Sequence, residues 1–357
     1  MSLRETKAFY GSDASPAEQR EAFRSGEIPV AVYGLGKMGL PLAAVYAETC
    51  GNVVGADVDP AVVESVNRGD CHVDREPGLD DLVAETVDAG ALRATESPRT
   101  AAKEATVHVV IVPTPITDEN EPDLSILQAV VEDVADGLAA GDLVVVECTV
   151  PPGTARDAME PTLERESDLD GDEFGVAVCP ERTSSGRALE DIRGAYPKVV
   201  GGVDDESTRA ASLLYGELTT NDVIEVPDAT TAEAVKVFEG VYRDVNIALA
   251  NELATLADAM DVNVNAAIET ANTQPYCDIH QPGPGVGGHC IPYYPYFLID
   301  RFDREMPLLR TAREVNDSMP AFTVEKLAGE MAESGDDLAG ATVAVLGLTY
   351  RPGVAET

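Results

Sequence analysis

Four glycines and three prolines crowd residues 281–292, and Cys290 stands near the end of that run, in G-P-G-V-G-G-H-C-I-P. Glycine lets backbone approach a ligand closely, and a thiol presented there can add to an electrophilic carbon. The plainer alternative is a buried structural cysteine in a tight turn, because reactivity depends on exposure and ionisation. A second set is Gly34-x-Gly36-x-x-Gly39, followed about twenty residues later by Asp57. Here the first glycine permits a tight turn, the second admits a pyrophosphate to the backbone, and the third lets helix and strand pack closely. Asp57 would accept hydrogen bonds from ribose hydroxyls and repel a 2′-phosphate, so the pattern predicts NAD rather than NADP. The other reading is a glycine-rich turn in some different α/β fold. A third candidate is Lys236, whose helical neighbours Ala232, Val235, Val237 and Gly240 are apolar or small. A snorkelling surface lysine is the alternative, but the chain has only six lysines.

Three loops share one kind of place. V-P-T-P with Thr114, C-T-V-P-P-G-T with Thr149, and C-P-E-R with Glu181 and Arg182 each follow an apolar run. Strands ending there would put the loops at the carboxyl edge of a sheet, where open α/β folds bind ligands. Ordinary strand-to-helix connections are the competing explanation.

The positioning elements follow from periodicity. Apolar runs at 28–33, 53–57, 107–112, 143–147 and 174–179 read as strands, with helices such as 40–48 and 124–139 between them. That alternation predicts an N-terminal doubly wound Rossmann domain with a parallel sheet over 28–226. From 231 to 260 the apolar residues Val235, Phe238, Tyr242, Val245, Leu249, Leu253, Leu256 and Met260 recur every three or four positions. One helix of about 45 Å follows. Together with helices at 263–271 and 308–334 it makes a central all-helical domain over 227–338, expected to join two chains into a homodimer. Residues 1–27 are polar and read as a loose or peripheral extension. The run A-T-V-A-V-L-G-L from Ala341 predicts one strand, the first of a C-terminal Rossmann-like domain over 339–357.

Composition excludes several classes. A net charge of -39, from 64 acidic and 25 basic residues, repels nucleic acid and anionic membranes. The acids are spread along the chain, as expected of a surface adapted to high salt, where counterions screen self-repulsion; simple solubility is the alternative. No run of 18 or more apolar residues predicts a membrane span. Six cysteines without a C-x-x-C pair, and four histidines, predict a reduced cytoplasmic protein with no disulfide framework and no metal site.

Taken together, G-L-G-x-M-G-L-P, P-T-P, T-V-P-P-G-T, C-P-E-R, the Lys236 helix with Y-R-D-V-N-I-A-L-A-N-E, G-P-G-V-G-G-H-C and R-T-A-R-E-V-N-D resemble the UDP-glucose/GDP-mannose dehydrogenase family. The wording of C-P-E-R, R-D-V-N-I-A and G-H-C-I is most similar to its branch acting on UDP-N-acetyl-D-mannosamine. Residues 347–353 resemble the opening of the family's C-terminal nucleotide-binding domain. The resemblance implies oxidation of a UDP-sugar C6 alcohol to a carboxylate by two NAD. It makes Cys290 the nucleophile, Lys236 the stabiliser of the oxyanion, Glu181 an acid-base group and Thr149 a holder of water. It implies cofactor contacts at Gly34, Gly36, Met38, Gly39, Asp57, Thr114 and Thr149. Substrate contacts are implied at Glu181, Arg182, Lys236, Arg243, Asn246, Gly287 and His289. Two positions depart from the family pattern: Gly240 stands where an asparagine is usual, and Tyr294 where an aspartate is usual. Those departures keep two alternatives open, a UDP-glucose 6-dehydrogenase and a catalytically weak NAD-binding homologue.

Overall fold

A computed structural model describes residues 8–184 and 186–347, with the side chain of Asp258 left out. The described residues divide into two compact units, one of residues up to 115 and 122–236, the other of 116–121 and those from 237 on.

The first unit is built on eight strands: β1 (Val30–Tyr33), β2 (Val53–Ala56), β3 (Leu92–Thr95), β4 (Val107–Val110), β5 (Leu143–Val146), β6 (Gly175–Val178), β7 (Lys198–Gly202) and β8 (Val223–Glu225). Their order is β3-β2-β1-β4-β5-β6-β7-β8, so the winding reverses between β1 and β4. β1 to β6 are parallel and fully paired, whereas β7 runs antiparallel to β6. Five strands were expected from apolar runs. β3, β7 and β8 escape that reading because charge or glycine breaks or bounds each apolar run, as in L-R-A-T, K-V-V-G-G and V-I-E. Helices on both faces bury two layers of apolar side chains, one including Val32, Leu42, Tyr46 and Leu214, the other Ala31, Val144, Val146 and Phe174.

Of the two expectations for the N-terminal segment, loose or peripheral, its described residues are not loose. Ser15 and Glu18 form a capping box that starts helix Pro16–Arg24, and Phe9 and Phe23 are fully buried in the first layer. Phe9 N–H donates to the Gly141 carbonyl at 2.8 Å, and the Tyr10 hydroxyl donates to Asp204 at 2.9 Å. A polar sequence with two well-placed aromatics is enough to dock it.

The second unit is helical. The long helix runs Ala229–Met260, and it is followed by Val264–Ala271, Cys290–Ile299 and Pro307–Glu333. Residues 116–121 belong to this unit, and Ile116 packs against the cluster of Val237, Tyr294, Phe297 and Leu298. The strand expected from Ala341 is not formed among the described residues: 341–347 have no assigned strand, and 348–357 lie outside the description. A strand needs a neighbour to satisfy its backbone groups, and the second unit has no strand of its own among the described residues.

Candidate active site

In the first unit the glycine turn follows β1 at the reversal of winding. Gly34 has φ +94°, and a β-carbon on it would lie 2.5 Å from the Ile111 carbonyl oxygen just beyond β4. A β-carbon on Gly39 would lie 1.9 Å from the Gly34 oxygen, so the helix Gly39–Cys50 begins hard against the turn. Gly36 is the opposite case: it is exposed, and nothing lies within 4 Å of where its β-carbon would be. That open space over bare backbone, at a helix N-terminus, is the cradle a pyrophosphate needs. Half-buried Met38 precedes the helix, with its sulfur 4.0 Å from the Thr183 hydroxyl. Asp57 stands one residue past β2 and ties the turn down. Its Oδ2 accepts from Leu35 N–H at 2.8 Å and its Oδ1 from Asp59 N–H at 3.0 Å. The residues present therefore fit NAD.

The other predicted loops of this unit do lie at the carboxyl ends of β4, β5 and β6. The Thr114 hydroxyl donates to the Thr149 carbonyl at 2.6 Å, and Cys148 accepts from Val112 N–H at 3.1 Å, so the first two loops are fastened together. Glu181 is half-buried and accepts from Thr183 N–H, while Arg182 donates to the Pro197 carbonyl at 3.0 Å. Lys236 is half-buried on the long helix.

Sequence reasoning missed the acids that hold these loops. Glu233, 2% exposed and one turn before Lys236, accepts from Gly153 N–H at 2.5 Å and Ala155 N–H at 2.8 Å. It thereby pins the end of T-V-P-P-G-T and the start of the turn Ala155–Met159 to the long helix. Burial raises its carboxyl to about 7, against the pull of those two N–H groups. Glu147, between β5 and Thr149, is buried and accepts from the Tyr215 hydroxyl at 2.5 Å. Burial raises it too, and the Lys198 ammonium sits 5.6 Å from the Tyr215 ring centre. Among 64 acidic residues Glu233 had no mark of burial in the sequence, while Glu147 closes the apolar run 143–147 but was not singled out.

In the second unit the residues predicted to act are presented by loop 272–289 and the helix after it. Of the six cysteines Cys290 alone is exposed, and it is the first residue of the helix Cys290–Ile299. Burial pushes the thiols of Cys148 and Cys179 up to about 12 and that of Cys50 to about 11, which makes them inert. The expected alternative of a sealed structural cysteine thus describes those three and not Cys290. Gly287 and His289 are exposed beside it, and Gly288 has φ +81°, a left-handed conformation suited to glycine. Asn246 on the long helix holds the loop: it donates to the Asp278 carbonyl at 2.7 Å and accepts from His280 N–H at 2.8 Å. Arg243 is exposed on the same helix.

Beneath the loop lies a polar network. Asp244, fully buried, takes Arg313 at 2.5 Å and Asn316 at 2.8 Å; Asn316 then accepts from Asn251, whose oxygen accepts from Gly283 N–H at 2.9 Å. The motif R-T-A-R-E-V-N-D is thereby explained as scaffold, joining the helix Pro307–Glu333 to the long helix and to the glycine loop. The two departures from the family pattern also meet here. A β-carbon on Gly240 would lie 2.0 Å from Cδ2 of Tyr294.

Residues 28–219 match the NAD binding domain of the UDP-glucose/GDP-mannose dehydrogenase family, and residues 230–318 match its central domain. The chain belongs to the UDP-glucose/GDP-mannose dehydrogenase family. It is accordingly an NAD-dependent nucleotide-sugar dehydrogenase. It is 39% identical over 330 residues to a UDP-N-acetyl-D-mannosamine dehydrogenase of Pyrococcus horikoshii, covering 92% of this chain and 77% of the relative. The Pyrococcus horikoshii structure superposes with a TM-score of 0.86 over 91% of this chain and 77% of that one. The Staphylococcus aureus UDP-N-acetyl-mannosamine dehydrogenase, 34% identical, gives 0.80 over 90% and 74%. An NDP-N-acetyl-D-galactosaminuronic acid dehydrogenase of Ralstonia nicotianae is 40% identical over 305 residues, 84% of this chain and 70% of the relative. Among the described residues no helix is long and apolar enough to cross a membrane, and no group of three His, Cys, Asp or Glu could hold a metal ion.

Proposed function

We propose that this dehydrogenase oxidises the C6 alcohol of UDP-N-acetyl-D-mannosamine to the uronate. The observation that carries the reading is the single exposed cysteine, on the first residue of a helix, in a chain that also holds an NAD-type glycine turn. Relatives named for the same sugar at 39% and 37% identity support the choice of substrate. In the balanced reaction one alcohol, two NAD and one water give one carboxylate, two NADH and three protons.

NAD, when bound, supplies the acceptor for each hydride. Gly34, Gly36, Met38 and Gly39 would hold its pyrophosphate, Asp57 its ribose, and Thr114 and Thr149 the loops beside it. The first oxidation leaves an aldehyde, which has no second carbinol hydrogen to release. The Cys290 thiolate adds to the aldehyde carbon and forms a thiohemiacetal, which loses the second hydride and becomes a thioester. Lys236 stabilises the developing oxyanion, a role worth several kcal/mol in a site shielded from water. Water held by Thr149, with Glu181 moving the proton, releases the uronate and the thiol. Glu181, Arg182, Lys236, Arg243, Asn246, Gly287 and His289 bind the sugar nucleotide.

We further read the protein as a cytoplasmic homodimer adapted to salt. On the long helix Phe238, Tyr242, Leu249, Leu256 and Met260 share one stripe and are 48% to 59% exposed, a continuous apolar face that a second copy would cover. The test of function is a UDP-sugar panel with NAD and the full-length protein. UDP-N-acetyl-D-mannosamine should give the highest kcat/KM and two NADH per sugar, and Cys290→Ser should remove product formation. Preference for UDP-glucose or UDP-N-acetylgalactosamine would overturn the substrate. One NADH per sugar would overturn the four-electron reaction.

A further inference from the structure

Tyr294 lies one turn beyond Cys290 on the helix Cys290–Ile299. Its side chain is 8% exposed and packs with Val237, Phe297 and Leu298. On the long helix Gly240 is buried beneath it. A β-carbon at 240 would stand 2.0 Å from Cδ2 of the ring and 2.9 Å from Cγ and Cε2. Atoms do not approach that closely, so the ring occupies the volume any side chain at 240 would need. Glycine inside a helix is less favourable than alanine. Its φ here is not in the left-handed region, so the turn of the backbone gives no reason for it. The reason is the ring.

We propose that Tyr294 is a positioning residue for the Cys290 thiol, its ring seated on the bare Cα of Gly240 and setting where the helix that begins at Cys290 rests on the long helix. The sulfur is carried on the first residue of that helix, so a shift of the ring is passed to it. Attack on a carbonyl carbon tolerates little displacement, about 1 Å being enough to lose about a hundredfold in rate. The catalytic part of this inference rests on Cys290 being the nucleophile; the packing part does not.

The experiment compares Gly240→Ala, Tyr294→Ala, the double variant and Tyr294→Phe in the full-length protein. Three quantities are read: kcat, KM for NAD, and the rate of Cys290 alkylation by iodoacetamide, followed by mass spectrometry. Each alanine variant should lower kcat by about tenfold or more and change the alkylation rate severalfold, with KM for NAD within about twofold. The double variant should be no worse than the poorer single one, because the methyl at 240 meets no ring once residue 294 is alanine. Tyr294→Phe, which keeps the ring, should recover most of what Tyr294→Ala loses. An unchanged alkylation rate in Gly240→Ala, or losses that multiply in the double variant, would overturn the inference. Alkylation needs no sugar, so it decides the matter even if every UDP-sugar fails to turn over. A cooperative thermal unfolding transition of the variant, followed by circular dichroism, distinguishes displacement from unfolding of the second unit.

Discussion

Glu233 shows how much one buried carboxyl can matter. In an unfolded chain it titrates near 4.5, and in the fold at about 7, because burial penalises its charge. The folded state therefore holds the proton more tightly. The stability this confers is complete below about 4.5 and is lost as pH rises through about 7. Each pKa unit is worth about 1.4 kcal/mol. Wild type should accordingly lose up to about 3 kcal/mol relative to Glu233→Gln between about pH 4.5 and pH 7.5. Urea unfolding of both proteins across that range checks it, and parallel stability curves would contradict it. The loop bearing Thr149 should follow the same titration, because Gly153 and Ala155 hang from this carboxyl.

At the scale of elements, the network under the glycine loop makes a sharp prediction. Asp244→Ala strands the buried guanidinium of Arg313 and should cost about 3 kcal/mol, since an uncompensated buried charge is expensive. Asp317→Ala removes a partner that is 60% exposed and should cost less than about 1 kcal/mol. Denaturant midpoints measure both, and equal losses would refute the distinction. The same helix shows what was legible in the sequence. Its length and start were readable because Val235, Phe238, Tyr242, Leu249 and Met260 keep a helical spacing. Which face turns inward was not. The buried face carries Ala232, Glu233, Val237, Gly240, Asp244, Ala248 and Asn251, and the large apolar side chains lie outward. Hydrophobic pattern alone cannot see that Arg313 and Asn316, some 70 residues further on, supply the partners that let an aspartate and an asparagine be buried. The glycine turn was legible because Gly34 and Gly39 answer local demands of close backbone packing and Gly36 leaves the backbone bare. The strand expected from Ala341 was not a local matter, because pairing has to come from elsewhere.

At the scale of the whole molecule, charge and the outward apolar stripe act together. A net charge of -39 opposes both folding and the approach of a second copy. The screening length falls from about 10 Å at 0.1 M salt to about 3 Å at 1 M. Thermal unfolding should therefore move up by several degrees between those conditions, and light scattering should report a dimer at the higher one. Leu249→Glu with Leu256→Glu should give a monomer without changing NAD binding. A dimer that survives both substitutions would place the interface elsewhere. The division of the chain adds a consequence for synthesis. Ile116 leaves the ribosome about 120 residues before Val237, the first of the partners it packs against. That short stretch has to wait for its partners while the 115 residues from 122 to 236 are made. A cut at 236 would therefore part residues 116–121 from the cluster that Ile116 packs against.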